Sequence, residues 1–255
     1  MTDQTRPSFR AALSNRTIQM TLGAFALIAA AAGTALAVQA PASVNATDKA
    51  AIEKIVHDYI LEHPEIIPQA VEKLQAQRMS GTIDASRSAL ETPYAGAWEG
   101  AANADVTVVE FFDYACGYCR ASLPDLAKLV AGDAKVKVVY RELPILSDES
   151  SAAAKVSLLA AERGQYMAYH KALYGAGKVT RDTIVAAAAK AGITKSEADS
   201  AIASTKYDAE IQSNIALAQK LQASGTPTFV IGGQVLGGAV GYDALKAAVA
   251  TTRGK

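Results

Sequence analysis

Only two of the 255 residues are cysteine, which excludes a scaffold stapled by several disulfides and a four-sulfur zinc site. The three histidines, His57, His63 and His170, stand far apart in the sequence, so no ligand cluster completes such a site. Excess charge of either sign is missing too, with 25 basic and 25 acidic residues. A solvated mixed surface follows, and nothing argues for a nucleic-acid partner or an anionic-membrane surface. Internal repeats are absent, and the one compositional bias is alanine. Half of the chain is hydrophobic, much of it alanine suited to close-packed helices, and the length fits one large domain or one domain with an appendage.

The apolar residues are unevenly spread. Arg6, Arg10 and Arg16 precede an uncharged run over 17–39 with an apolar heart at 22–36, then small residues at Ala35, Leu36 and Ala37. This is the pattern of a secretory signal over 1–37, with cleavage after Ala37. A retained membrane anchor is the other outcome, since the run approaches the roughly 20 residues that span a bilayer. Either way the rest is exported into an oxidising compartment, and the short basic lead with an alanine-rich core points to the bacterial periplasm.

Residues 41–47 read as a small-residue linker. Within 48–78, Ile52, Ile55, Val56, Tyr59 and Ile60 form one helical stripe. His63-Pro64 interrupts it, and Ile66, Ile67, Ala70, Val71 and Leu74 form a second. Two short helices cannot bury these stripes alone, so 48–78 is expected to dock on the main domain or to form a homo-oligomer. Residues 79–103, rich in Ser, Thr, Gly and Ala, read as a connector.

The main domain spans 104–251. Val106 to Phe112 is a β-rich apolar run of buried-strand length, 120–130 a helix and 136–140 another strand, an order that implies parallel pairing. A helical insertion covers 148–223, with Ser147 or Asp148, Thr180, and the capping box Thr194–Glu197 as helix starts. Thr228–Ile231 and Gln234–Leu236 make a hairpin about Gly232-Gly233, and 242–251 closes the chain as a helix. The fold class is α/β. Gly232, Gly233, Gly237, Gly238 and Gly241 enter a hairpin rather than a helix, which rejects a nucleotide loop.

Both cysteines fall in Cys116-Gly117-Tyr118-Cys119, between the first strand and its helix. A structural staple is a poor reading, because so small a loop removes little unfolded-state entropy, roughly 2 kcal/mol. A hydrolase-type nucleophile wants a nearby base, and none is evident. A redox dithiol fits the placement. A cysteine opening a helix meets unpaired N–H groups and the positive end of the helix dipole, which favour thiolate. Cys116 is then the exposed attacking sulfur, and Cys119, one turn in, the shielded sulfur that resolves the mixed disulfide. Strand alternation places Glu110 among apolar neighbours, where its pKa should rise; a solvent-facing Glu at a strand end is the plainer reading. For Pro227 the plainer reading is a proline opening a strand.

Strand, dithiol and helix, with Glu110 six residues before Cys116 and Pro124 five after Cys119, resemble thioredoxin. The stretch from Val109 to Cys119, the helical insertion and Gly225 to Phe229 resemble the DsbA-like branch, over 104–251. The resemblance implies a thioredoxin fold with a helical insertion and a cis Pro227 against the dithiol. It also implies that Thr226, Gly117 and Tyr118 meet the bound peptide, and that Glu110 beneath the dithiol relays the Cys119 proton. The strongest oxidants of that family carry histidine where Tyr118 stands, and Thr226 is typical of isomerase-like members. The leader region resembles suppressor-of-copper-sensitivity C and Com1-like proteins, which self-associate through it.

The expectation is a periplasmic protein thiol–disulfide oxidoreductase, isomerase or oxidase, acting on unfolded or misfolded exported proteins and exchanging electrons with a membrane redox partner. No cofactor and no metal are required. The alternatives are an envelope copper-handling protein using the dithiol for Cu(I), and a structural envelope protein that associates through 48–78.

Overall fold

The computed structural model describes residues 45–254; the signal or anchor segment 1–37 and the first part of the linker lie outside the described residues. No helix among the described residues is long and apolar enough to cross a membrane. The chain divides into two compact units between Glu62 and His63.

The first unit contributes α1, Ala46–Glu62, opened by the Asn45 side chain accepting the Asp48 N–H at 2.8 Å. Ile52, Ile55, Val56 and Tyr59 of its apolar stripe are exposed.

The second unit begins with α2, Ile66–Glu91. The break at His63-Pro64 falls where proline chemistry places it, but the helix does not stop at residue 78. It runs through the first half of the expected connector 79–103, and the division of the chain falls within 48–78 rather than at its end. The correction has a physical cause. Ser, Thr and Gly weaken a helix by tenths of a kcal/mol each, whereas Ile83 and Leu90, two turns apart on one face, are fully buried. The second half of that segment holds β1, Trp98–Gly100, which is too short to announce itself in sequence.

Four more strands follow: β2 (Val106–Phe112), β3 (Val136–Glu142), β4 (Thr228–Ile231) and β5 (Gln234–Gly237). The sheet order is β1-β3-β2-β4-β5, with β2 and β3 parallel and the other pairs antiparallel. Between β2 and β3 runs α3, Gly117–Gly132. The insertion supplies α4 (Asp148–Glu162), α5 (Tyr166–Gly175), α6 (Arg181–Lys190), α7 (Lys195–Ala203) and α8 (Asp208–Lys220), and α9 (Tyr242–Thr252) closes the chain. Ser147, Thr180 and Thr194 cap α4, α6 and α7 with their hydroxyls, and the Thr194–Glu197 capping box is complete. Helix α5 has no side-chain cap and had no signal in the capping pattern; its buried Tyr166, Tyr169, Leu173 and Tyr174 hold it.

The two sheet faces have different cores. One buries Val106, Val108, Phe112, Val138 and Phe229 together with side chains of α3, α4, α5 and α9. The other buries Val109, Phe111, Val139 and Val230 against Ile83 and Leu90 of α2, Leu217 of α8 and Leu221, which caps α8. On this second face Arg141 is also buried. Its guanidinium donates to the Ala89, Leu90 and Thr92 carbonyls that α2 leaves open, and to Glu210 at 3.1 Å.

Candidate active site

Helix α3 starts where Cys116 stops being helical. At φ −78°, ψ 117° it is the N-cap, and its sulfur accepts the Cys119 N–H at 3.4 Å, a task usually given to a hydroxyl. The attacking position is thus built into the helix start, with one N–H donor of the first turn directed at sulfur. Both cysteines are free thiols. Cys119 is wholly enclosed as expected, but Cys116 is not the exposed sulfur the sequence suggested: it shows only 6% of its surface, covered from the side of the Thr226 carbonyl.

Across from the helix start lies the loop before β4. Its Thr226-Pro227 peptide bond is cis, and the Cys116 thiol donates to the Thr226 carbonyl at 3.1 Å. Residues 222–228 line a cleft of about 340 Å³ with Val235, Gly237 and Gly238. Pro227 is buried and Thr226 half-buried beside the sulfur. Gly117 is exposed, and a side chain there would meet nothing; Tyr118 is 71% exposed.

Glu110 lies within the sheet, buried, between its cross-strand neighbours Tyr140 and Phe229. One carboxyl oxygen has no hydrogen-bond partner. Burial, then the neighbouring Cys116 and Glu99, hold its pKa well above the usual carboxylate range. Burial pushes the Cys119 thiol well up as well, with the Glu110 charge as the second cause. Glu110 and the dithiol therefore share one low-dielectric region, in which a proton on either group favours a charge on the other. The solvent-facing alternative for Glu110 is overturned by its enclosure.

Three groups that sequence reasoning did not single out also hold this region. Asp113 is buried, and its carboxylate accepts the Ala115, Ile145 and Leu146 N–H groups at 2.8, 2.9 and 3.0 Å. Tyr114 shares hydrogen bonds with Ser157 at 2.8 Å and His170 at 3.1 Å, anchoring the dithiol loop to α4 and α5. His170 sits among the rings of Phe112, Tyr114, Tyr140, Tyr166 and Tyr174, where burial lowers its pKa to about 3. The clue to the first two was proximity, since they are two of the three residues before Cys116. His170 carried no local signal. Among the described residues no three His, Cys, Asp or Glu side chains converge in a way that could hold a metal ion.

Comparison with known proteins bears on the fold and the family. The model of the DSBA-like thioredoxin domain matches residues 107–250, and that of the copper resistance protein ScsC N-terminal domain matches 48–79. A thioredoxin-like oxidoreductase from Silicibacter pomeroyi superposes with a TM-score of 0.61 at 38% identity, covering 65% of this chain and 96% of that one. A linker-deletion variant of Proteus mirabilis ScsC gives 0.64 at 26% identity, covering 84% and 99%. A periplasmic thioredoxin-like protein from Salmonella enterica serovar Typhimurium gives 0.59 at 32% identity, covering 66% and 96%. Curated relatives include a Na(+)/H(+) antiporter, NhaA 3, of Salinispora tropica, 29% identical over 153 residues. The match takes in 59% of this chain but only 24% of the antiporter's length.

Proposed function

The chain belongs to the DSBA-like thioredoxin family, which places it among thiol–disulfide oxidoreductases, and from that premise we propose that it exchanges disulfides with exported proteins in the periplasm through Cys116 and Cys119. The observation that carries the reading is the Cys116 sulfur at a helix start, 3.1 Å from the Thr226 carbonyl, with the enclosed Cys119 and Glu110 behind it.

The chemistry balances without a cofactor. Cys116 thiolate attacks one sulfur of a substrate disulfide, and the other sulfur leaves as a thiolate that takes a proton from water. Cys119 gives its proton to Glu110 in its ionised form, which the raised pKa makes a strong acceptor, and attacks the Cys116 sulfur. The second substrate thiolate leaves; two electrons have passed to the substrate and the dithiol is now a disulfide. The same steps reversed oxidise a substrate. A membrane redox partner restores whichever state is consumed. Pro227, Thr226, Gly117 and Tyr118 flank the sulfur and serve as the surface for an extended peptide.

Isomerisation is the form of this activity we favour. The exposed stripe of α1 and the match of 48–79 to the ScsC leader support association of several copies, which holds several dithiols around one misfolded substrate. That same leader match favours a second reading, in which the dithiol holds Cu(I) through its two soft sulfurs.

The test uses the full-length chain in insulin reduction and in refolding of scrambled ribonuclease, beside an Ile55→Glu, Tyr59→Glu variant that charges the exposed stripe. Wild type is expected to do both, and the variant to reduce insulin at the wild-type rate while losing most refolding activity and its oligomeric mass. Unchanged refolding by a monomeric variant would refute the oligomer–isomerase link. A wild type inert in both assays that binds Cu(I) would favour the copper reading.

A further inference from the structure

Resting on the thiol–disulfide reading, we propose that Asp113 is a positioning residue that yokes the dithiol loop to the apolar loop 143–147, so that a polypeptide gripped by Ile145 and Leu146 presents its disulfide to Cys116.

The yoke is built from one side chain that takes three backbone donors. One carboxylate oxygen takes the N–H of Ala115, the residue before the attacking cysteine; the other takes the N–H groups of Ile145 and Leu146. The two loops are therefore one carboxylate apart. The Asp113 carbonyl accepts the Cys116 N–H and the Tyr174 hydroxyl, each at 3.0 Å, which immobilises the residue from its other side. A carboxylate suits this place because it is an acceptor only, with room for several donors in a plane. Asparagine has the same shape but must turn an NH₂ group toward at least one of the N–H donors.

What the yoke presents distinguishes it from a loop tether that serves the fold alone. Ile145 and Leu146 donate from part-buried backbone N–H groups, yet the residues are exposed, at 47% and 53%. Beyond α2, the large apolar side chains exposed among the described residues are these two and Tyr118, which lies between the two cysteines; the Asp113 that holds Ile145 and Leu146 also accepts the Cys116 N–H. Apolar surface kept in water beside a reactive sulfur fits a chain segment with apolar residues near its cysteine, as an unfolded polypeptide has. A small disulfide such as oxidised glutathione carries no apolar chain segment for this loop to hold.

The experiment measures kcat and KM of the full-length reduced protein for insulin and for oxidised glutathione. It compares wild type, Asp113→Asn, and the double variant Ile145→Ser, Leu146→Ser. Each variant is expected to lose about tenfold in kcat/KM for insulin, mainly through KM, and less than about threefold for glutathione. Equal losses on both substrates, or no loss on insulin, would overturn the proposal. If Asp113→Asn does not fold, the double variant, altered only at exposed side chains, decides alone. A wild type inactive on both substrates removes the thiol–disulfide reading itself, an outcome separate from failure of the yoke.

Discussion

The two faces of one sheet bury charge in opposite ways. Beneath α2, Arg141 is enclosed but fully answered: three helix-end carbonyls, Glu210 and Asn214 accept its donors. On the dithiol face Glu110 and Glu142 are equally enclosed, yet each keeps a carboxyl oxygen without a partner, and both hold pKa values well above the usual range. Register puts the two carboxyls on neighbouring parallel strands, one same-face step apart. A satisfied buried charge fixes geometry. An unsatisfied acid costs stability and stays ready to change protonation, as beneath a sulfur that must lose a proton.

The largest effect expected from breaking this contrast is on the satisfied side. Arg141→Ala leaves the α2 carbonyls and Glu210 without their donor, and should cost about 3–5 kcal/mol in urea denaturation. Thiol exchange per folded molecule should stay near wild type. A loss below about 1 kcal/mol would mean that α2 is held by apolar packing alone.

On the unsatisfied side the sign reverses. Between the ordinary carboxylate value and the raised one the unfolded chain ionises Glu110 while the fold keeps it protonated, so in that window the folded state binds more protons. Stability therefore falls as pH rises through the window between the ordinary value and the raised one. Glu110→Gln removes this penalty: its melting temperature should exceed that of wild type at pH 8 and match it at pH 4. The resolving step at pH 7 should slow by roughly a hundredfold, the usual effect of removing a proton acceptor. A variant less stable at pH 8 would show that Glu110 supports the fold.

Much of this architecture is legible in the sequence where the cause is local. The hydroxyl caps of α4, α6 and α7, the Gly232-Gly233 hairpin and the break at Pro64 each depend on a few adjacent residues. The dithiol is legible for the same reason, as a short motif between a strand and a helix. The continuation of α2 was not, because Ile83 and Leu90 gain their burial from strands far along the chain. Neither Asp113 nor Arg141 announces its role: besides Ala115, the partners of the Asp113 carboxylate lie 32 and 33 residues away, and those of Arg141 mostly on α2 and α8. His170 in isolation suggests nothing, and only the packing of α5 brings it among five rings.

The central claim is that one sulfur attacks and the other releases. Cys119→Ala in the full-length protein, exposed to a periplasmic extract and resolved on a non-reducing gel, tests it directly. Attack by Cys116 predicts protein adducts of Cys119→Ala that dithiothreitol releases and that vanish when Cys116 is also replaced. Adducts that persist without Cys116, or none in either variant, would contradict it.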